Sequence, residues 1–220
     1  NMQFAAGLFG FGGKATEEKL YEAAESGNGS SVKTLLSSGA KPDKHVADDG
    51  SSALILASET GHCDIMYALL THGAVPDLCR KDGASPLMGA AAGGHVDAVN
   101  LLLDQGASPN LQDNNGASAL MFASDRGHTH VVQLLLHAGA HPDIQNKDGS
   151  TALQWASFHG HTGVVRTLID AYASIDLQDK NGNTALIFTE QDPEGGWAAS
   201  EEQREASAQV CMCVCAHVCV

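Results

Sequence analysis

Aromatic residues supply only 5% of the 220-residue chain, and its 12 Lys and Arg are outnumbered by 26 Asp and Glu, giving a formal charge of −14. That balance opposes a phosphate backbone or an anionic bilayer, and no cluster of basic residues interrupts it. Nucleic acid and membrane surfaces are thereby excluded as expected partners. Long apolar runs are also missing. The longest apolar opening, Met2–Gly13, is broken by four glycines and has no basic residue ahead of it, so it reads as neither a membrane span nor a secretory leader. Dispersed cysteines are scarce: Cys63 and Cys79 stand alone, and the other four crowd into Cys211–Cys219. This is not a disulfide framework, and it points to a reducing compartment, with the cytoplasm as the expected location. Asn28-Gly29-Ser30 matches a glycosylation acceptor, but without a leader it carries no weight. There is no nucleophile elbow, no phosphate-cradling loop ending in Gly-Lys-Ser/Thr and no pair of catalytic carboxylates. The chain therefore reads as a non-enzyme that needs no cofactor.

Glycine, by contrast, is plentiful and regular. Gly50, Gly83, Gly116, Gly149 and Gly182 fall 33 residues apart, and Gly-His follows the first four at Gly61-His62, Gly94-His95, Gly127-His128 and Gly160-His161. The clearest copy of the unit is Asp148–Lys180. Each copy opens with a turn and then Ser52-Ala53-Leu54, Ser85-Pro86-Leu87, Ser118-Ala119-Leu120 or Thr151-Ala152-Leu153. A hydroxyl residue suits a helix N-cap and proline suits the position after it. A small residue follows each leucine by three, at Ala57, Ala90, Ala123 and Ala156, so that neighbouring backbones approach. After Gly-His a second helix carries apolar residues at i, i+3, i+4: Met66/Leu69/Leu70, Val99/Leu102/Leu103, Val132/Leu135/Leu136 and Val165/Leu168/Ile169. It stops at Gly73, Gly106 and Gly139, where a left-handed residue is wanted.

These residues resemble the ankyrin repeat, with its Thr-Pro-Leu-His-x-Ala helix followed by Gly-His, Leu-Leu and Gly-Ala, from roughly Thr16 to Thr189. The resemblance implies an all-α solenoid of stacked helix–turn–helix units with projecting β-turns and a concave protein-binding face. The expected organisation is a flexible lead-in (1–15), an N-terminal capping repeat (16–47), and full repeats at 48–81, 82–114, 115–147 and 148–180. An incomplete repeat (181–192) and a non-repeat tail (193–220) follow. In the first repeat Thr16 is the expected helix cap, with Glu17 and Glu18 in the first turn favoured by the helix dipole. Two departures from the family pattern stand out. Its helix histidine is replaced by Ile55, Met88, Met121, Gln154 and Ile187, so apolar contact is expected in place of a polar ladder. Tyr172 occupies a position where glycine is expected, and a left-handed conformation there costs about 1–2 kcal/mol.

The fifth turn begins a repeat that meets Pro193 where its second glycine should fall. Trp197–Gln209 reads either as a makeshift helical cap over the last repeat or as a disordered tail. From Val210 to Val220, Val, Met or Ala alternates with Cys or His without exception. Codons for all five types fit one alternating purine–pyrimidine tract, so we expect a tail made by altered splicing or frame. Genomic codons lying in an ordinary exon continuous with the repeats would refute this. Cys211, Cys213, Cys215, His217 and Cys219 are soft-metal ligand types, but no second cluster or CxxC turn closes a tetrahedral cage, and no metal is expected. The Gly-His histidines lie on repeats stacked about 8–10 Å apart. Ligands of one zinc lie about 2 Å from it, so these residues are expected to bond local backbone instead.

The candidate contact residues are surface positions that vary in the family. Leu56, Phe122, Trp155 and Phe188, with Gly89 breaking the row, share one position of successive first helices, read either as inter-repeat packing or as a hydrophobic row on the concave face. Beside it lie Asp125/Arg126 and Phe158/His159, and the turn tips add Lys81/Asp82, Asn115 and Lys147/Asp148. Arg126, Trp155 and Phe158 are the strongest candidates, since aromatics and arginine dominate interface hot spots. The expected function is a monomeric scaffold or adaptor binding another protein, the alternative being the truncated targeting arm of a larger enzyme or channel.

Overall fold

A computed structural model of the protein describes residues 13–44, 47–190 and 208–209. Among these the chain forms eleven helices and no strand. The first pair is α1 (Gly13–Glu25) and α2 (Gly29–Ser37), followed by α3 (Ala53–Glu59) with α4 (Cys63–Thr71) and α5 (Pro86–Ala92) with α6 (Val96–Asp104). Then come α7 (Ala119–Asp125) with α8 (Thr129–His137), α9 (Ala152–Phe158) with α10 (Thr162–Asp170), and α11 (Ala185–Glu190). Each odd-numbered helix packs against the next odd-numbered one, and each even-numbered helix against the next even one. The product, among the described residues, is a two-layer helical stack in which each unit packs on the next.

The short first helices start where the hydroxyl residues predict. Ser52, Ser85, Ser118 and Thr151 are extended N-caps whose side-chain oxygens accept from the N–H groups of Ile55, Met88, Met121 and Gln154 at 3.3–3.4 Å. Seven residues make barely two turns, so these helices are held by burial rather than by intrinsic propensity. Leu54, Leu87, Leu120 and Leu153 are buried, and Ala57, Ala90, Ala123 and Ala156 are completely so. From the other layer Met66/Leu69, Val99/Leu102, Val132/Leu135 and Val165/Leu168 close the same continuous core.

The Gly-His pairs differ from expectation. None of the four histidines caps its own helix with its side chain. Instead His95, His128 and His161 place Nε2 against the carbonyls of Glu59, Ala92 and Asp125 in the preceding repeat, at 3.0, 3.1 and 2.8 Å. The ring lies over the preceding repeat's glycine, and a Cβ at Gly94 would sit 2.6 Å from His128 Cε1. Glycine and histidine therefore work as a pair between units: one leaves the space and the other fills it while satisfying a helix-terminal carbonyl.

A second set of links runs along the turns. The N–H groups of Lys81, Asn114, Lys147 and Lys180 donate to the carbonyls of Asp49, Asp82, Asn115 and Asp148 at 2.8–2.9 Å. Asp43, Asp77, Asn110 and Asp143 accept from the N–H groups of Val75, Ser108, His141 and Ser174, again one repeat further on.

Three further differences appear. Helix α1 begins at Gly13, inside the expected lead-in, so Thr16 is not its cap. Glu17 does not serve the helix dipole on the surface either: its side chain is 9% exposed and pairs with Lys44 at 3.1 Å. That hydrogen bond, helped by the lysine charge and opposed by burial, holds its carboxyl below the ordinary value. Lastly, the substituted histidine position is apolar and buried at Ile55, Met88 and Met121, but Gln154 rebuilds a polar link. Its Nε2 donates to the carbonyls of Leu177 and Asn183 at 2.9 and 2.8 Å, while its Oε1 accepts from Thr151 N–H at 2.7 Å. Tyr172 does take φ +61 and is 92% exposed. The expected cap or tail after 192 and the Cys/His-rich end lie outside the described residues, apart from helical Ala208 and Gln209.

Candidate functional site

The first-helix face changes character along the stack. At α3 and α5 it offers Glu59 and the small residues Gly89, Ala92 and Gly93. Glu59 is tied to Arg80 at 2.8 Å, and Arg80 also reaches Asp82 at 2.9 Å. Burial would raise the Asp82 pKa, but the Ala84 N–H and the Arg80 guanidinium outweigh it and hold the carboxylate below its ordinary value.

From α7 to α11 the same face becomes aromatic. Phe122 and Trp155 meet edge to face, with ring centroids 6.3 Å apart. Both are half-buried and pack against the core. Phe158 pairs edge to face with Phe188 at 5.9 Å and with His159 at 5.0 Å. The repeat spacing put Phe188 in a row with Phe122 and Trp155; folding brings its ring to Phe158, one turn further along α9.

A cleft of about 230 Å³ opens here, lined by Trp155, Phe158, Phe188, Asp125, His159, Gln154 and Ser150. Asp125 organises its rim. One carboxylate oxygen faces His159 Nε2 at 2.9 Å and the other faces Arg126 Nε at 3.3 Å, while its backbone carbonyl receives His161. His159 and His161 stack at 5.8 Å. Burial, more than the neighbouring His159 and His128, pushes the His161 pKa below its ordinary value, against the opposing pull of Asp125.

The sequence candidates thus divide. Asp125, Arg126, Phe122, Trp155, Phe158 and His159 come together around one cleft or its rim. Lys81, Asp82, Asn115, Lys147 and Asp148 do not line it: they are exposed at the turn tips, with backbone groups committed to the turn-to-turn ladder. Two cleft residues were not among the contact residues expected from sequence, Ser150 and Gln154. Gln154 carried a signal, being the one polar residue among the substituted histidine positions. Ser150 carried none beyond its place next to the turn. Among the described residues no group of histidines, cysteines and carboxylates is arranged to hold a metal ion, and no helix is long and apolar enough to cross a membrane.

The stacked pairs and their cross-repeat links define the class as a helical-repeat solenoid. The family model for ankyrin repeats (three copies) matches residues 20–113, 75–146 and 120–189, and the chain belongs to the ankyrin-repeat family. Members of this family generally serve as protein–protein interaction modules. No individual curated protein matches the chain.

Proposed function

We propose that the chain is a non-enzymatic adaptor that binds another protein through its first-helix face and turn tips, with Trp155 and Phe158 as principal contacts and Arg126 on the rim beside them. The observation that carries this reading is the aromatic cleft between α7 and α11. It gathers half-buried aromatic rings around an open cleft on a two-layer scaffold, at the end of a face whose α3 and α5 positions carry Leu56, Glu59 and small residues. Rigid aromatic anchors contribute most of the affinity in typical interfaces, because they bury much area at low conformational cost. The turn tips Lys81, Asp82, Asn115, Lys147 and Asp148 form a polar rim of the same surface. Repeats 48–81, 82–114, 115–147 and 148–180 act as one platform, and the chain works as a monomer without cofactor.

The test is selection of binders from a randomised peptide-display library on the full chain, followed by affinity measurements on Trp155→Ala and Phe158→Ala. Each substitution is expected to weaken the selected peptides by about thirtyfold, the effect of a hot spot of roughly 2 kcal/mol. Peptides that bind both variants as tightly as the parent chain would place the binding surface elsewhere.

A further inference from the structure

We propose that the α7–α11 cleft is built for a cationic side chain, and specifically for an arginine presented by the partner's segment. This deepens the adaptor reading and rests on it. The cleft combines two features that a purely apolar anchor would not need. Three aromatic side chains, Trp155, Phe158 and Phe188, line a volume of about 230 Å³, which is the scale of a single large side chain. One rim residue, Asp125, adds a carboxylate that is only partly engaged. A carboxylate accepts about four hydrogen bonds, and Asp125 has one imidazole on one oxygen and a single guanidinium nitrogen at 3.3 Å on the other. That guanidinium, Arg126, is sequence-adjacent, and its side chain is 67% exposed. It makes no bidentate pair and swings into water at little cost.

An incoming arginine satisfies every element at once. Its methylene stem and planar head lie against the indole and phenyl faces, where the ring quadrupoles attract a cation. Its paired N–H groups reach the Asp125 carboxylate in the two-pronged geometry that a lysine cannot offer. A leucine or phenylalanine of similar size would instead strip water from that carboxylate without replacing it. The wider charge agrees: a chain of net charge −14 draws a basic segment toward itself and repels an acidic one.

The test uses a positional-scanning library of twelve-residue peptides. The central residue is fixed in turn as Arg, Lys, Leu, Phe or Glu, and each set is titrated against the full chain and against Asp125→Asn, Trp155→Ala and Arg126→Ala. Asparagine keeps the shape of the aspartate, so a folding defect does not confound that arm, and hydrogen exchange of each variant verifies the stack. The Arg set is expected to bind best, with Lys several-fold weaker and Glu weakest. Asp125→Asn is expected to reduce binding of the Arg set about tenfold while leaving the Leu set as strong or stronger, and Arg126→Ala to strengthen the Arg set by removing its competitor. If the Leu or Phe set binds as well as the Arg set and both depend on Trp155, the adaptor reading stands and the arginine assignment falls. Binding insensitive to Trp155, or no binding by any set, overturns both.

Discussion

Replacing Gln154 by methionine, the residue at the matching positions 88 and 121, tests how the stack handles a polar group at its apolar core. Gln154 is 1% exposed and makes three hydrogen bonds, two to carbonyls of the following turn and one from Thr151 N–H. At position 88 the methionine sulfur takes over the N–H of its own cap residue, Ser85, at 3.5 Å, so a thioether substitutes for that third bond in part. It cannot donate to Leu177 and Asn183. Two bonds at about 1 kcal/mol each are lost, and a carbonyl left dry adds about 1–3 kcal/mol, so the expected cost is roughly 3–5 kcal/mol. Both lost partners lie in the turn that docks α11, and in a nearest-neighbour stack the loss stays at that junction. Hydrogen exchange by mass spectrometry is therefore expected to show faster exchange in 175–190 with α3 to α8 unchanged. A loss below about 0.5 kcal/mol, or deprotection spread evenly along the stack, would refute the reasoning.

Tyr172→Gly is expected to raise stability by about 0.5–1 kcal/mol in urea denaturation. It relieves about 1–2 kcal/mol of left-handed strain and gives back part of it as unfolded-state freedom. Gly94→Ala is expected to cost at least twice as much as Gly139→Ala. Both residues have positive φ, but a Cβ meets the His128 ring only at Gly94 and open space at Gly139. For pH, the folded His161 pKa lies below its ordinary 6.5, so the fold favours the neutral ring. Its contribution is complete above pH 6.5 and is lost as pH falls through the folded value, a loss that His161→Gln should lessen in denaturation curves at pH 7.5 and 5. Glu17 behaves likewise in a lower window: its link to Lys44 stabilises above about pH 4.5 and is lost as pH falls through its lowered folded value, and Glu17→Gln should lessen the dependence.

The helices, caps and core stripes were legible from sequence because each rests on local periodicity and a local hydrogen bond. Ser52, Ser85, Ser118 and Thr151 need only the next turn of chain to act as caps. The histidines were misread for the opposite reason: their partners lie 36 residues back, and nothing local marks a side chain that reaches across repeats. Gln154 was grouped with apolar neighbours by alignment of position, whereas its chemistry demanded partners that only the next turn could supply. Glu17 was placed by the dipole rule, but the facing Lys44 made burial with an ion pair the better outcome. At the cleft, the aromatics and Asp125 were visible as residues, yet the pairing of Phe158 with Phe188 depends on how α9 and α11 pack.

The central claim is that binding occurs on the first-helix face at its aromatic end. The most direct measurement is hydrogen exchange of the full chain with and without a saturating selected peptide. New protection is expected in α7, α9 and α11 and in the turn leading to Ser150, with α4, α6, α8 and α10 unchanged. Protection confined to the even-numbered helices would contradict it.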